Sequence, residues 1–375
     1  MSRVATFAGM LSAITWFVAG AAPPPDAGVL PAGAAPGFAQ ALTPRAFEFP
    51  RDHGPHPQFR QEWWYLTGNL DAAGGERFGF ELTFFRFALD PSPALPATSA
   101  WRTREIYMAH FAITDVAAKR FHYAQKLARG ALGLAGAAAA PLRVWIDDWT
   151  LGAAGAAPGD WRLEAAQEGY TLALELQPLS PPVLNGEAGL SRKSDAPDSA
   201  SYYYSMPRIA VHGTLLRQGR PLAVQGLAWL DREWGSGGLG PGQAGWDWFA
   251  LQLDDGTALM FYALRRRDGS RDPHSAATWV EASGEARNLA SAAVDIDVND
   301  HWTQADGVRY PSGWRVRVPS LALDVSVHPV LADQELKTSP RYFEGAVDVN
   351  GARAGHPLRG RGYVELVGYV RTPRG

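Results

Sequence analysis

From Phe47 onward, apolar and polar residues alternate in short runs broken by glycine, aspartate, asparagine and proline. A period of two sends successive side chains to opposite faces of an extended chain, so runs of this length bounded by turn residues read as β-strands. The first pair, 63–70 and 78–87, flanks Asp71-Ala72-Ala73-Gly74-Gly75 and reads as a hairpin. Further strands are predicted over 105–114, 143–151, 161–166, 170–176, 210–217 and 222–231. After a break they resume over 246–253, 258–265, 275–280, 313–318, 322–328, 346–349 and 362–369. No stretch holds a helical period for long; the alanine-rich interval 131–140 reads as a helix or a loop. Many short strands joined by tight turns predict an all-β fold closed as a sandwich or barrel.

The break itself, 235–245, contains six glycines and one proline and reads as a domain linker or a mobile loop at a mouth. It divides the chain into an N-terminal domain over 47–235 and a C-terminal domain over 236–375. Ahead of them, Arg3 followed by the apolar stretch 4–22 and the small residues Ala19-Gly20-Ala21 read as a signal peptide over 1–21. Residues 22–46, nearly all Ala, Pro and Gly at first, read as a flexible leader. The expected location is periplasmic or secreted.

Two segments place acids among large aromatics: Gln61-Glu62-Trp63-Trp64-Tyr65 and Trp229-Leu230-Asp231-Arg232-Glu233-Trp234. As a strand, the second puts Trp229, Asp231 and Glu233 on one face and Leu230, Arg232 and Trp234 on the other. Acids beside indoles suit either the wall of an apolar pocket or a barrel core holding an internal ion pair. Asp231 is expected to point into the first barrel, buried, and either to meet a donor such as Arg86 or to stay protonated. Arg86 itself is expected to pair inside the barrel with Glu62 or Glu81. His110 shares its face with Met108, Ala112 and Thr114 and reads as a core or a catalytic histidine. Trp246 and Trp248 share a face after the glycine-rich break, suited to capping a pocket or joining the domains.

Composition narrows the chemistry. The chain of 375 residues has 46% hydrophobic and 19% charged residues and a net charge of -3, with no basic stripe to attract nucleic acid. Cysteine is absent, which removes disulfides, thiolate catalysis and cysteine-ligated metals. Of nine histidines only His53 and His56 lie close together, in a Pro/Gly loop expected to be solvated, and neither a metal nor another cofactor is predicted. No G-x-S-x-G elbow and no phosphate-binding loop occur.

Several ordered motifs together resemble one family. Glu62-Trp63-Trp64-Tyr65, Phe84-Phe85-Arg86, His110 to Asp115, Trp229 to Gly235, Tyr342-Phe343-Glu344-Gly345 and Gly362 to Tyr369 are similar to those of the AttH/carotenoid 1,2-hydratase family. The resemblance spans 47–369. It implies two lipocalin-like (calycin-type) antiparallel β-barrels packed together. The signal segment, the barrel pattern and the aromatic excess point to an exported protein that binds a hydrophobic small molecule or lipid in a barrel pocket; the AttH side of the resemblance adds an ABC-type envelope transport system, with a permease as partner. Its hydratase side implies a hydro-lyase, or a related lyase or cyclase, acting on an isoprenoid-like substrate.

Hydration of an isolated double bond needs a protonated acid in an apolar setting, aromatic faces for the cation and a base for water. Asp231 is the candidate acid, with Glu62 and His110 as catalytic partners. Candidate ligand-binding residues are Trp64, Glu81, Arg86, Tyr202, Tyr204, Trp229, Glu233, Trp246 and Trp248. Of the hydratases' Tyr-His-Asp sequence only Asp231 is matched, since Trp229 and Leu230 occupy the other two places.

Overall fold

The computed structural model describes residues 36–92, 99–155 and 159–370. The predicted signal peptide and the leader as far as residue 35 lie outside the described residues. From Gly37 the leader is not loose: Ala41 is buried, the Tyr202 hydroxyl donates to the Thr43 carbonyl at 2.9 Å, and Ser236 donates to the Ala39 carbonyl at 2.6 Å. The flexibility expected of these last leader residues is therefore corrected. Their apolar side chains and carbonyls find partners on the first sheet.

Most described residues lie in strands, as two antiparallel sheets, with no α-helix among them. The first has thirteen strands. At its centre Arg77–Ala88, Gln61–Ala72, Arg220–Gly235 and Ala200–Arg217 lie side by side, with Glu105–Asp115 beyond the first of them. The second has ten strands, centred on Ala258–Arg266, Gln243–Leu253, His356–Val367 and Tyr342–Arg353. No strand is shared; the chain passes between sheets after Gly235. The alanine-rich interval is not a helix: 131–134 form a loop, and Ala135–Ala139 pairs as an edge strand with Leu142–Ile146.

Each sheet curls on itself. In the first, strands far apart in the order meet where Phe111 packs edge-on to Trp149, with ring centres 5.6 Å apart, and Lys126 lies 5.0 Å over the same indole. Closure hides strand edges from other chains. The interior is filled by Trp64, Trp149, Trp234, Tyr204 and aliphatic residues. The second barrel is filled by Phe249, Trp279, Trp314, Phe343 and their neighbours. The expected ligand pocket inside a barrel is corrected accordingly: side chains occupy these interiors.

The barrels pack outer face to outer face. In the central strands of the first sheet, odd-numbered residues of 61–72, 77–88 and 220–235 face the second sheet, and even-numbered ones face the barrel interior. Direct hydrogen bonds cross the junction, including Tyr65 to Glu344 at 2.6 Å, Thr114 to Gln334 at 2.7 Å and Gln252 to the Ala228 carbonyl at 2.9 Å. Close approach is possible because residue 79 is glycine. A Cβ there would stand 2.6 Å from the Tyr363 hydroxyl and 2.7 Å from Ala346 Cβ, inside contact distance.

Candidate active site

Between the barrels lies a cavity of about 80 Å³ walled by aromatic rings and carboxyls. Trp63, Phe85 and Tyr203 come from the first sheet; Trp246, Trp248 and Tyr342 come from the second. Leu239, in the glycine-rich crossing loop, reaches its wall. Each of these strands contributes alternate residues, so period two delivers the strand part of the lining once both outer faces are paired, and loops add Leu239 and Lys193.

Asp231 belongs to this cavity. It is buried, but it points out of the first barrel toward the second sheet, which corrects the expectation that it faces the barrel interior. The reason is register. Asp231 sits opposite Ser205 and Tyr65, on the face shared with Tyr203 and Trp229. Its Oδ1 accepts from Ser205 Oγ at 2.6 Å and from Trp229 Nε1 at 2.7 Å, and its Oδ2 accepts from the Tyr203 hydroxyl. Trp248 Nε1 in turn donates to that hydroxyl at 3.2 Å. Among the described residues no arginine meets Asp231; Lys193, the cation of the wall, pairs with Glu233 at 3.2 Å and lies 4.5 Å over the Tyr262 ring. Burial pushes the Asp231 carboxyl up to about 7, against the pull of its three donors, and Glu233 adds to the rise.

Besides Asp231 and Glu233, a third carboxyl shares the cavity. Glu365 accepts from Trp246 Nε1 at 2.9 Å and is pushed up to about 7, first by burial and then by the Asp231 and Glu233 charges. Behind it, Glu344 and Glu81 are fully buried and held well above the usual carboxyl range by burial. Sequence reasoning did not single out Glu365 as a site residue. Its signal is the alternation of Tyr363, Glu365 and Val367, which places an acid on a face with an aromatic, as in the Asp231 strand.

The other predicted residues separate by parity. Glu233, Trp246 and Trp248 line the cavity, and Trp229 holds Asp231. Glu81 faces the junction behind Thr83 and Phe85, outside the cavity wall. Trp64, Tyr202 and Tyr204 point into the first barrel; Tyr203, between the two tyrosines, is the one at the cavity. Placing Tyr202 and Tyr204 with the ligand is thus corrected by one residue, a shift that inverts every face of a strand.

Glu62 is corrected as a catalytic partner of Asp231. It lies on the opposite side of the sheet, in ion pairs with both Arg86 and Arg232, and accepts the His56 backbone N–H at 3.0 Å. Arg86 also meets Glu105 at 3.0 Å and the Phe59 carbonyl at 2.8 Å, so it holds the barrel and touches no part of the cavity. The expectation that Arg86 pairs inside the barrel with Glu62 or Glu81 resolves to Glu62. His53 and His56 are buried rather than solvated. His53 Nδ1 lies 2.6 Å from the Tyr204 hydroxyl, and His56 stacks on Trp234 at 3.8 Å between ring centres.

His110 is fully buried one layer behind the cavity. Its Nδ1 is 2.7 Å from the Tyr342 hydroxyl and its Nε2 is 2.8 Å from Gln125 Nε2. Burial pushes it down to about 3, so it is neutral near pH 7.

A family model described as AttH-like matches residues 40–369. The chain belongs to the AttH-like family. A crystal structure from Nitrosomonas europaea, described as an AttH, is 38% identical to it. The two match with a TM-score of 0.79, over 89% of this AttH-like chain and 100% of that one. Kievitone hydratase from Nectria haematococca shares the fold at 16% identity and a TM-score of 0.66, covering 88% of this chain and 95% of that one. The dehydratase asqC of Emericella nidulans is 26% identical over 220 residues, 55% of this chain; the match spans 60% of that relative's length. The family and the paired-barrel fold expected from the motifs are therefore both observed, and the similar proteins include a hydratase and a dehydratase.

Proposed function

We propose that this protein is a hydro-lyase, adding water to or removing it from a largely apolar substrate held between the two barrels. The observation that carries the reading is Asp231: a buried carboxyl without an arginine partner, facing an aromatic cavity and titrating near neutrality. A structural ion pair would have looked like Glu62 instead. The names of two similar proteins, a hydratase and a dehydratase, agree with this chemistry.

The steps follow from the atoms available. Asp231 Oδ1 has both lone pairs engaged by Ser205 and Trp229, whereas Oδ2 has one donor, Tyr203, so Oδ2 is the position for a transferable proton. In hydration this proton passes to one carbon of a double bond, and the adjacent carbon becomes cationic. The faces of Trp63, Trp246 and Trp248 stabilise that charge. Water bonds to the cationic carbon and gives a proton to the Glu365 carboxylate. The three donors on Asp231 stabilise the anion left behind. In dehydration the same steps run backward: Glu365 protonates the departing hydroxyl and Asp231 takes the proton from carbon. Two carboxyls both near 7 and coupled by charge favour one proton between them near neutral pH, one acid and one base.

The test is incubation with a panel of prenylated phenols and the corresponding tertiary alcohols in ¹⁸O-water. Mass spectrometry would follow gain or loss of water and ¹⁸O incorporation. Turnover that falls about 10²- to 10⁴-fold in Asp231→Asn, with circular dichroism unchanged, supports the reading. Equal turnover in Asp231→Asn sinks the acid assignment. Binding without turnover across the panel returns the protein to a carrier role, in which an exported location and a permease partner would be the next questions.

A further inference from the structure

His110, Gln125 and Tyr342 form a hydrogen-bonded line from the surface of the first barrel to the cavity, and the donors along it can be counted. Gln125 Nε2 lies 2.8 Å from the Ser339 carbonyl oxygen, which only accepts. That contact fixes the amide orientation, since an amide oxygen there would face another oxygen. The same nitrogen is 2.8 Å from His110 Nε2, so Nε2 must accept. A neutral imidazole that accepts at Nε2 carries its proton on Nδ1. His110 is neutral at ordinary pH because it is wholly buried and no carboxylate touches it. Nδ1–H therefore donates to the Tyr342 oxygen, 2.7 Å away.

This leaves the Tyr342 hydroxyl proton unassigned. With its oxygen occupied by His110, the phenol makes no other hydrogen bond among the described residues, and its side chain lines the cavity. Phe85, which also lines the cavity, packs edge-on to His110 with ring centres 5.5 Å apart and fixes the imidazole plane. A buried hydroxyl with an unspent proton is costly unless something in the cavity accepts it.

We propose that Tyr342 is a donor site for a neutral acceptor oxygen on the substrate, a carbonyl or an ether or hydroxyl oxygen. His110 is the positioning residue that turns the phenol proton toward the cavity. The ligand class follows: an apolar molecule that carries such an oxygen, in place of a pure hydrocarbon. An anionic oxygen is disfavoured because the cavity wall carries Asp231, Glu233 and Glu365 against one cation, Lys193, which is already paired with Glu233. The inference rests on the cavity being the substrate site of the proposed hydro-lyase, but it does not depend on Asp231 transferring a proton.

The test uses a chromophoric enone, trans-4-dimethylaminochalcone, whose absorption moves to the red when its carbonyl accepts a hydrogen bond. Wild-type protein is expected to bind it with a red shift. Tyr342→Phe, which keeps the ring, is expected to lose the shift and bind about 3- to 10-fold more weakly. No red shift with wild type, or an undiminished shift in Tyr342→Phe, overturns the proposal. Nitrogen-15 NMR of the wild-type histidines provides a second reading that needs no variant. His110 is expected as the Nδ1–H tautomer from pH 5 to 8, and an Nε2–H tautomer or an imidazolium at pH 7 overturns it. Neither measurement involves turnover, so either can fail while hydration activity stands, and the reverse.

Discussion

Asp231 and Arg232 are neighbours in the chain and act on opposite sides of one sheet. Asp231 hangs over the cavity between the barrels, held by Ser205, Tyr203 and Trp229. Arg232 turns into the first barrel, where it pairs with Glu62, donates to the Gly54 carbonyl at 2.6 Å and lies 3.8 Å over the Trp64 ring. A single peptide bond thus separates the charge that holds the barrel from the carboxyl available for chemistry. The same strand anchors its reactive side chain by burying the next one.

Glu62 balances two wholly buried arginines, and their charges, outweighing burial, hold it well below the usual carboxyl range. Replacing it by glutamine leaves Arg86 and Arg232 without a counter-charge, and removal of one partner from a buried pair costs about 3–5 kcal/mol. Glu62→Gln is expected to lose that much stability in urea titration. The part of the protein that remains folded should keep its ligand affinity, since Glu62 does not reach the cavity. A Glu62→Gln protein of unchanged stability would remove the cluster from its structural role.

Stability should also fall toward alkaline pH. Asp231 and Glu365 rise from ordinary values of 3.8 and 4.5 to about 7 in the folded protein. Between those limits the folded state holds protons that the unfolded chain has released, so stability is full below pH 4 and is lost as pH climbs through 7. For Asp231 the interval of about three units corresponds to at most about 4 kcal/mol. Asp52, lowered to about 2, and Glu62 act in the opposite sense, stabilising above their ordinary values and losing that contribution as pH falls. Melting temperature is thus expected to peak near pH 5. In Asp231→Asn the decline from pH 5 to 8 should be shallower, and an equal slope would mean that Asp231 is not the group being titrated.

Activity should follow a bell in pH if one of Asp231 and Glu365 must carry a proton and the other must not. The two limbs belong to the coupled pair and not to either residue alone. In the hydration direction Glu365→Gln removes the base and should leave only the alkaline limb, with kcat reduced about 10²-fold and KM little changed. A Glu365→Gln enzyme that keeps both limbs would show that another group accepts the proton from water.

The alternation of short runs determined that this chain forms strands, and the motifs from Glu62 to Tyr369 determined its family and paired barrels. Parity along 229–235 was equally legible: Asp231, Trp229 and Glu233 had to share a face, and Arg232 had to take the other. Which face was the inside of a barrel was not legible. Both sides of the central strands carry large apolar residues, Trp63, Tyr65 and Phe85 on one and Trp64, Leu66 and Phe84 on the other, because both are buried. When burial is two-sided, the pattern loses the contrast that normally marks the core. Only the packing of one outer face on the other decided the matter. It turned Tyr203 and not Tyr204 toward the cavity and put Glu62 behind the sheet. It also brought Glu365, 134 positions after Asp231, into the same enclosure, a proximity that strand register and sheet docking create and no local spacing encodes.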